Sequence, residues 1–327
     1  MPAHGSALAI ALVAASASLH AQGADSARVP RGEARQVVDS AYVPAVRGPA
    51  AFPLGRGPRV VIDEAHRNFH TASGRYRPFA HLLEADGFRV DAGRAPFDSA
   101  TLAATRVLVI ANAVGAGHER NTDWALPAVS AFTPDEIAAV GAWVRRGGAL
   151  LLIADHMPFA GDAAALAEPL GIHFLNGFAL VGDADPETGD YPIVFRRRDG
   201  SLGAHRVTAG RTPRDRVDSI VSFTGSAFRV TAPAATPLMT LPAATRVHLP
   251  RVAWQFSDST AELSGDGLLQ GAVLSVGRGR VAVFGEAAMF TAQRKGIARA
   301  PMGMNAPAAA QNARFVLNVM RWLAGVR

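Results

Sequence analysis

Asp63, Glu64, His66, Asn68 and His70 place two carboxylates, an amide and two imidazoles within one short segment. Imidazole is the side chain best suited to moving protons near neutrality and to binding metals, and carboxylates serve as bases or ligands. Backbone geometry decides between these uses. If the segment is extended, Glu64, His66, Asn68 and His70 share one face, but His66 and His70 lie about 13 Å apart, too far for one metal ion. If it turns helically, His66 and His70 become an i, i+4 pair that can chelate. Glu64, His66 and His70 are therefore the candidate metal ligands, and a divalent metal is the cofactor they would imply. The alternative is a polar loop whose histidines bond the backbone.

Two further groups follow apolar runs. Asp155-His156 succeeds Ala149–Ala154, and Glu286 succeeds Arg280–Phe284. A carboxylate ending an apolar strand must be hydrated, paired or ligating. In open parallel sheets ligands bind beyond the carboxyl ends of the strands, so residues just after several strands converge on one edge. Asp155, His156 and Glu286 are thus the candidate catalytic residues. Asp155 or Glu286 would act as general base, with the histidines as ligands or electrophiles. Capping of the next turn is the competing role for Asp155 and Glu286. His118, His173, His205 and His248 lack such company and read as surface or structural. No G-x-S-x-G supports a serine nucleophile. Met302–Asn305 reads as a linker to the last helix, with a mobile wall of the site as its other reading.

The elements that would position these groups alternate. Strands are expected at Arg59–Asp63, Phe88–Asp91, Arg106–Asn112 and Ala149–Ala154, the last two continuously apolar as in strands covered on both faces. Helices are expected over Tyr76–Ala85, after the capping box Thr133-Pro-Asp-Glu136, and over Asp162–Leu170. This alternation predicts an α/β fold with a mostly parallel sheet flanked by helices, of flavodoxin-like or amidotransferase-like type. From about 182 to 266 short β-like runs and turns predict a β-rich insertion, with a hairpin at Asp199-Gly200. Leu268–Val276 and Arg280–Phe284 return to the sheet, and an apolar-faced helix over Ala308–Ala324 closes the chain.

Of the 327 residues 49% are hydrophobic and 18% charged, ample for a core and unlike a disordered chain. The formal charge is +6, and Lys295 is the only lysine. The arginines are scattered, without an aromatic-interleaved basic motif, so no nucleic-acid partner is expected. No cysteine is present, which excludes disulfides and thiolate chemistry. Residues 1–21 lack Asp, Glu, Lys and Arg, and carry an apolar run from Ala7 to Ala17 followed by small residues. This is the pattern of a signal peptide ending at Ala21, too short to span a membrane, and it predicts a periplasmic or extracellular protein. Residues 22–57 read as a linker or loosely packed arm, and 58–327 as the folded domain.

Five segments carry a family resemblance: Ile62-Asp-Glu-Ala-His66; Phe132–Ile137 with Gly147-Gly148; Ala154-Asp-His156; Gly279–Glu286; and Asn312–Asn318 with Trp322. Over residues 59–180 and 268–325 the chain resembles the class I glutamine amidotransferase-like superfamily. It is similar to an exported branch near the trehalose-utilisation-like and gliding-motility-accessory-like proteins. Members with glutaminase activity carry a cysteine on the turn after the central strand, where this chain has Asp155-His156, so thiol glutaminase chemistry is not implied. The resemblance implies the place of a site and allows a carbohydrate-like substrate. Together these readings predict an exported hydrolase with a His/carboxylate site acting on a carbohydrate-like small molecule. The alternative is a non-catalytic binding or accessory module of the cell envelope.

Overall fold

The computed structural model describes Met1 and residues 36–44, 48–120, 124–182 and 192–326. Apart from Met1, the signal sequence expected over residues 1–21 lies outside the described residues. The chain is a mixed α/β protein with several sheets, the largest of nine strands. Its parallel part contains β1 (Arg59–Asp63), β2 (Arg89–Gly93), β3 (Val107–Ala111) and β4 (Ala149–Ile153), followed by β5 (Leu269–Val276) and β6 (Gly279–Phe284). The order runs β2-β1-β3-β4-β6-β5. Neighbours from β2 to β6 are parallel, and β5 is antiparallel to β6.

Side-chain alternation builds the layers. Val60, Ile62, Leu151 and Ile153 enter one core with α1 (Arg77–Ala85) and Phe315, Val316 and Val319 of the C-terminal helix. Val61, Leu150 and Leu152 enter a second core with Val140 and Val144 of α2 (Pro134–Arg145) and Leu166 of α3 (Phe159–Ala167). Successive strand residues face opposite ways, so the sheet is covered on both sides. Every residue of β3 and β4 is buried, as their uninterrupted apolar sequence requires. The C-terminal helix, α4 (Asn312–Ala324), is pinned through Arg321, which reaches both carboxylate oxygens of buried Asp86 at 2.8 and 2.5 Å.

The β-rich stretch is partly continuous with this sheet. Ala227–Val230 and Ala235–Thr240 both pair with β5, and Ile172–Leu175 pairs with Ala227–Val230. Phe178–Val181, Thr245–Leu249 and Ala261–Ser264 form a separate small sheet. The hairpin expected at Asp199-Gly200 is not one. Arg197–Asp199 is a 3-10 turn closed by Gly200 at φ 80°, and Ile193–Arg196 pairs instead with distant Ser219–Ser222.

Part of the segment read as a linker or loosely packed arm is bound to the domain. Val37–Val38 pair antiparallel with Gln293 and Arg294. Asp39 is buried and accepts from Arg294 Nε and Asn305 Nδ2, each at 2.9 Å. Phe52 packs edge-on against Phe88, with ring centroids 5.1 Å apart. Two valines, a phenylalanine and one well-partnered acid suffice to dock this stretch, although it shows no periodicity.

Candidate functional site

Three strand ends are clipped together at the carboxyl edge of the sheet. After β3, Asn112 takes a left-handed φ of 56°, and its Oδ1 accepts from Asp155 N after β4 at 3.0 Å. Asp155 Oδ2 accepts from Ala287 N, after β6, at 3.1 Å, and its Oδ1 accepts from His156 N at 2.7 Å. Ser226 Oγ donates to Ala154 O at 2.7 Å, tying the β-rich region to the same edge.

His70, Asp155, His156 and Glu286 line one cavity of about 60 Å³, together with Asn112, Thr224 and Gln293. Its apolar wall is aromatic: Phe69, Phe159, Phe223 and Trp254. His156 stacks on Phe178 at 4.8 Å and meets Trp254 edge-on at 4.7 Å. His156 Nδ1 donates to Met157 O at 2.7 Å, which leaves Nε2 to carry the lone pair in the neutral ring. Met302, in the stretch read as a linker, also lines the cavity.

Glu286 is almost fully buried. Its two oxygens accept from Ala288 N and Met289 N at 2.8 Å, so it also caps the following turn. Burial, and next the neighbouring Asp155 charge, push its carboxyl well above the usual carboxylate range despite those backbone donors. Burial likewise holds the His70 ring well below the usual imidazole value, helped by Arg75 and His156. Tyr76, whose hydroxyl donates to Ala287 O at 3.1 Å, is raised well above its ordinary value by burial and by both acids.

The candidate metal set does not form. Glu64 accepts from Ala72 N at 2.9 Å and pairs with Arg94 at 3.1 Å, outside the cavity. His66 lies between two carboxylates: Nδ1 is 2.9 Å from Asp63 Oδ2 and Nε2 is 2.8 Å from Glu136 Oε1. Only His70 of the three reaches the cavity. The physical reason is Arg67, whose left-handed φ of 51° interrupts any helical turn, so His66 and His70 are not an i, i+4 pair. Among the described residues no three His, Asp or Glu side chains lie together as a metal-ligand set.

The Asp63–His66–Glu136 joint is held by charge. Burial alone would lower the His66 pKa, but hydrogen bonds and charge from Asp63 and then Glu136 raise it. Burial acts against ionised Glu136, yet the Thr133 N–H, His66 and the Thr133 hydroxyl bring its pKa down to about 2. His66 packs against the rings of Phe97 and Phe132, at 4.5 and 4.7 Å. His118, read from sequence as lacking company, has a buried partner: its Nδ1 is 3.0 Å from both oxygens of Asp162.

Asn112, Trp254 and Gln293 were not among the sequence candidates. Among the described residues, Arg67, Asn112 and Trp254 are three of the four non-glycine residues with positive φ, and the last two line the cavity. Such conformations cost on the order of 1–3 kcal/mol each and tend to gather at functional sites. A second cavity, about 440 Å³ and more open, is lined by Arg67, Val114, His118, Glu119, Arg120 and Trp124 and shares Phe69 with the first. It holds none of the candidate catalytic residues Asp155, His156 and Glu286.

No protein-family model matches the chain. The search of curated proteins finds no relative. Among solved structures it is similar to the mmIFT52 N-terminal domain, at a TM-score of 0.54 and 13% identity over 82% of this chain and 97% of that one. It is also similar to a ThuA-like protein from Bacteroides uniformis ATCC 8492, at a TM-score of 0.46 and 13% identity over 82% of this chain and 92% of that one. A third is a ThuA-like protein from Parabacteroides merdae ATCC 43184, at 0.43 and 12% over 83% and 91%. At 13% identity the likeness to the mmIFT52 N-terminal domain is one of fold alone.

Proposed function

We propose that the chain is an exported acid–base hydrolase of the amidotransferase-like superfamily, acting on a carbohydrate-like ligand without a thiol nucleophile. One observation carries the reading: ionisable groups following separate strands, His70, Asp155, His156 and Glu286, line a single cavity walled by aromatic rings. Glu286 holds its proton to unusually high pH and is the proton donor. His156, with Nδ1 committed to Met157 O, offers Nε2 as the acceptor. The cavity has room for about two waters at roughly 30 Å³ each, so a reacting group enters while the rest of the ligand stays outside.

A second reading, a binding module without turnover, draws on Glu286 capping Ala288 and Met289, a purely structural use of that carboxylate. Purified protein assayed on a panel of chromogenic glycosides, alongside calorimetric binding, separates the two. Hydrolysis reduced about 10²–10⁴-fold in Glu286→Gln, with binding retained, supports the enzyme. Binding without turnover in the unsubstituted protein supports the module. Neither binding nor turnover refutes both.

A further inference from the structure

We propose that the small cavity is a receptor for a primary ammonium group, so that the ligand of this site is an amine. The inference rests on the reading of this cavity as the functional site and goes further by naming the chemistry it accepts.

Charge is the first argument. The chain carries 33 Lys and Arg against 27 Asp and Glu, yet the cavity lining holds two carboxyl groups and no lysine or arginine. The guanidinium of Arg75 is near enough to oppose protonation of His70, but it stacks 3.8 Å over Phe69 and donates to Gln36 O at 3.3 Å. A carboxylate or phosphate ligand would meet the like charge of Asp155, with no lysine or arginine in the lining to offset it.

Hydrogen bonding is the second argument, independent of the first. Gln293 Oε1 and His70 Nδ1 are buried without a partner, in residues only 1% and 4% exposed, and both residues line the cavity. A neutral imidazole can present a lone pair at Nδ1, and an amide oxygen only accepts. Gln293 Oε1 therefore calls for a donor, and His70 Nδ1 accepts a second in the tautomer that carries its proton on Nε2. A hydroxyl supplies one; an ammonium supplies three from a single atom. Aromatic faces stabilise a desolvated cation, and Phe69, Phe159, Phe223 and Trp254 form the wall. A volume of about 60 Å³ suits an ammonium head with its first carbon.

The test uses the purified full chain. Methylammonium and methanol, which have the same number of heavy atoms, are titrated by calorimetry. Glucosamine against N-acetylglucosamine, and alanine amide against N-acetylalanine amide, then distinguish a sugar amine from an α-amine. Methylammonium is expected to bind at least tenfold tighter than methanol, and one free amine at least tenfold tighter than its acetylated counterpart. Gln293→Leu should weaken amine binding tenfold or more. Should that variant misfold, ammonium chloride must displace the bound amine from the unsubstituted protein where sodium chloride at equal concentration does not. Equal binding of acetylated and free forms, or no binding of methylammonium, overturns the proposal. Sugars that bind irrespective of an amine, and lose turnover in Glu286→Gln, would leave the hydrolase standing while the ammonium receptor falls. Amine binding without hydrolysis of any glycoside would do the reverse.

Discussion

His66 Nε2 lies 2.8 Å from Glu136 Oε1, joining the loop after β1 to the first turn of α2 across 70 residues of chain. Glu136 completes the capping box with Thr133 and also accepts from Phe97 N at 3.1 Å. One carboxylate thus starts a helix, holds a neighbouring loop and faces a buried imidazolium.

Removing the imidazole should be costly. His66→Ala leaves Asp63 and Glu136 facing each other without the cation between them, and truncating one partner of a buried pair costs about 3–5 kcal/mol. Urea denaturation should show a loss of that size, while the cavity around Glu286 keeps its ligand affinity. A loss below about 1 kcal/mol would show that the joint is not structural.

The same joint sets a pH window. Glu136 titrates at about 2 in the fold against an ordinary 4.5, so its contribution is present above 4.5 and is lost as pH falls towards 2. His66 is raised above its ordinary 6.5, so its contribution is complete below 6.5 and is lost as pH rises through its folded value. Thermal melts of the parent and His66→Ala across pH 2–9 should differ most between 4.5 and 6.5. A constant difference would contradict the assignment.

The strand at Val37–Val38 should depend on Asp39. Asp39→Ala removes the acceptor for Arg294 and Asn305, and a buried donor left unmet costs about 1–3 kcal/mol. Limited proteolysis should then cut around Gln36 faster than in the parent, with the nine-stranded sheet intact by circular dichroism. Unchanged cutting would mean that the two valines alone hold the segment.

His118 and Asp162 anchor the loop between β3 and α2. Gly115 N donates to Asp162 Oδ2 at 2.9 Å and His118 Nε2 lies 2.8 Å from Ala125 O. Burial pushes Asp162 upward and these partners only partly offset that. His118→Ala should speed amide hydrogen exchange of residues 113–120 and 124–132 at least tenfold, leaving β3 and β4 protected. Uniform exchange across the domain would show a global role instead.

The fold was legible where a single physical demand shaped a run of residues. Val107–Ala111 and Ala149–Ile153 must be apolar on both faces, and Thr133 and Glu136 must cap, so sequence and structure agree there. Asp155 and Glu286 were legible because any residue just after a parallel strand reaches the same edge. The fate of His66 was not. Arg67 at φ 51° breaks the local geometry, and the partner Glu136 is distant in sequence. Gln293 and Trp254 were invisible for the same reason: an unpartnered amide or a left-handed backbone arises from contacts far along the chain.

Gln36 lines the cavity and stands immediately before the Val37–Val38 strand. Docking of that strand on Gln293 and Arg294 is therefore coupled to the cavity itself, because displacing it moves a residue of the wall. No residue of α4 lines that cavity, so a change in α4 reaches it only through the intervening core.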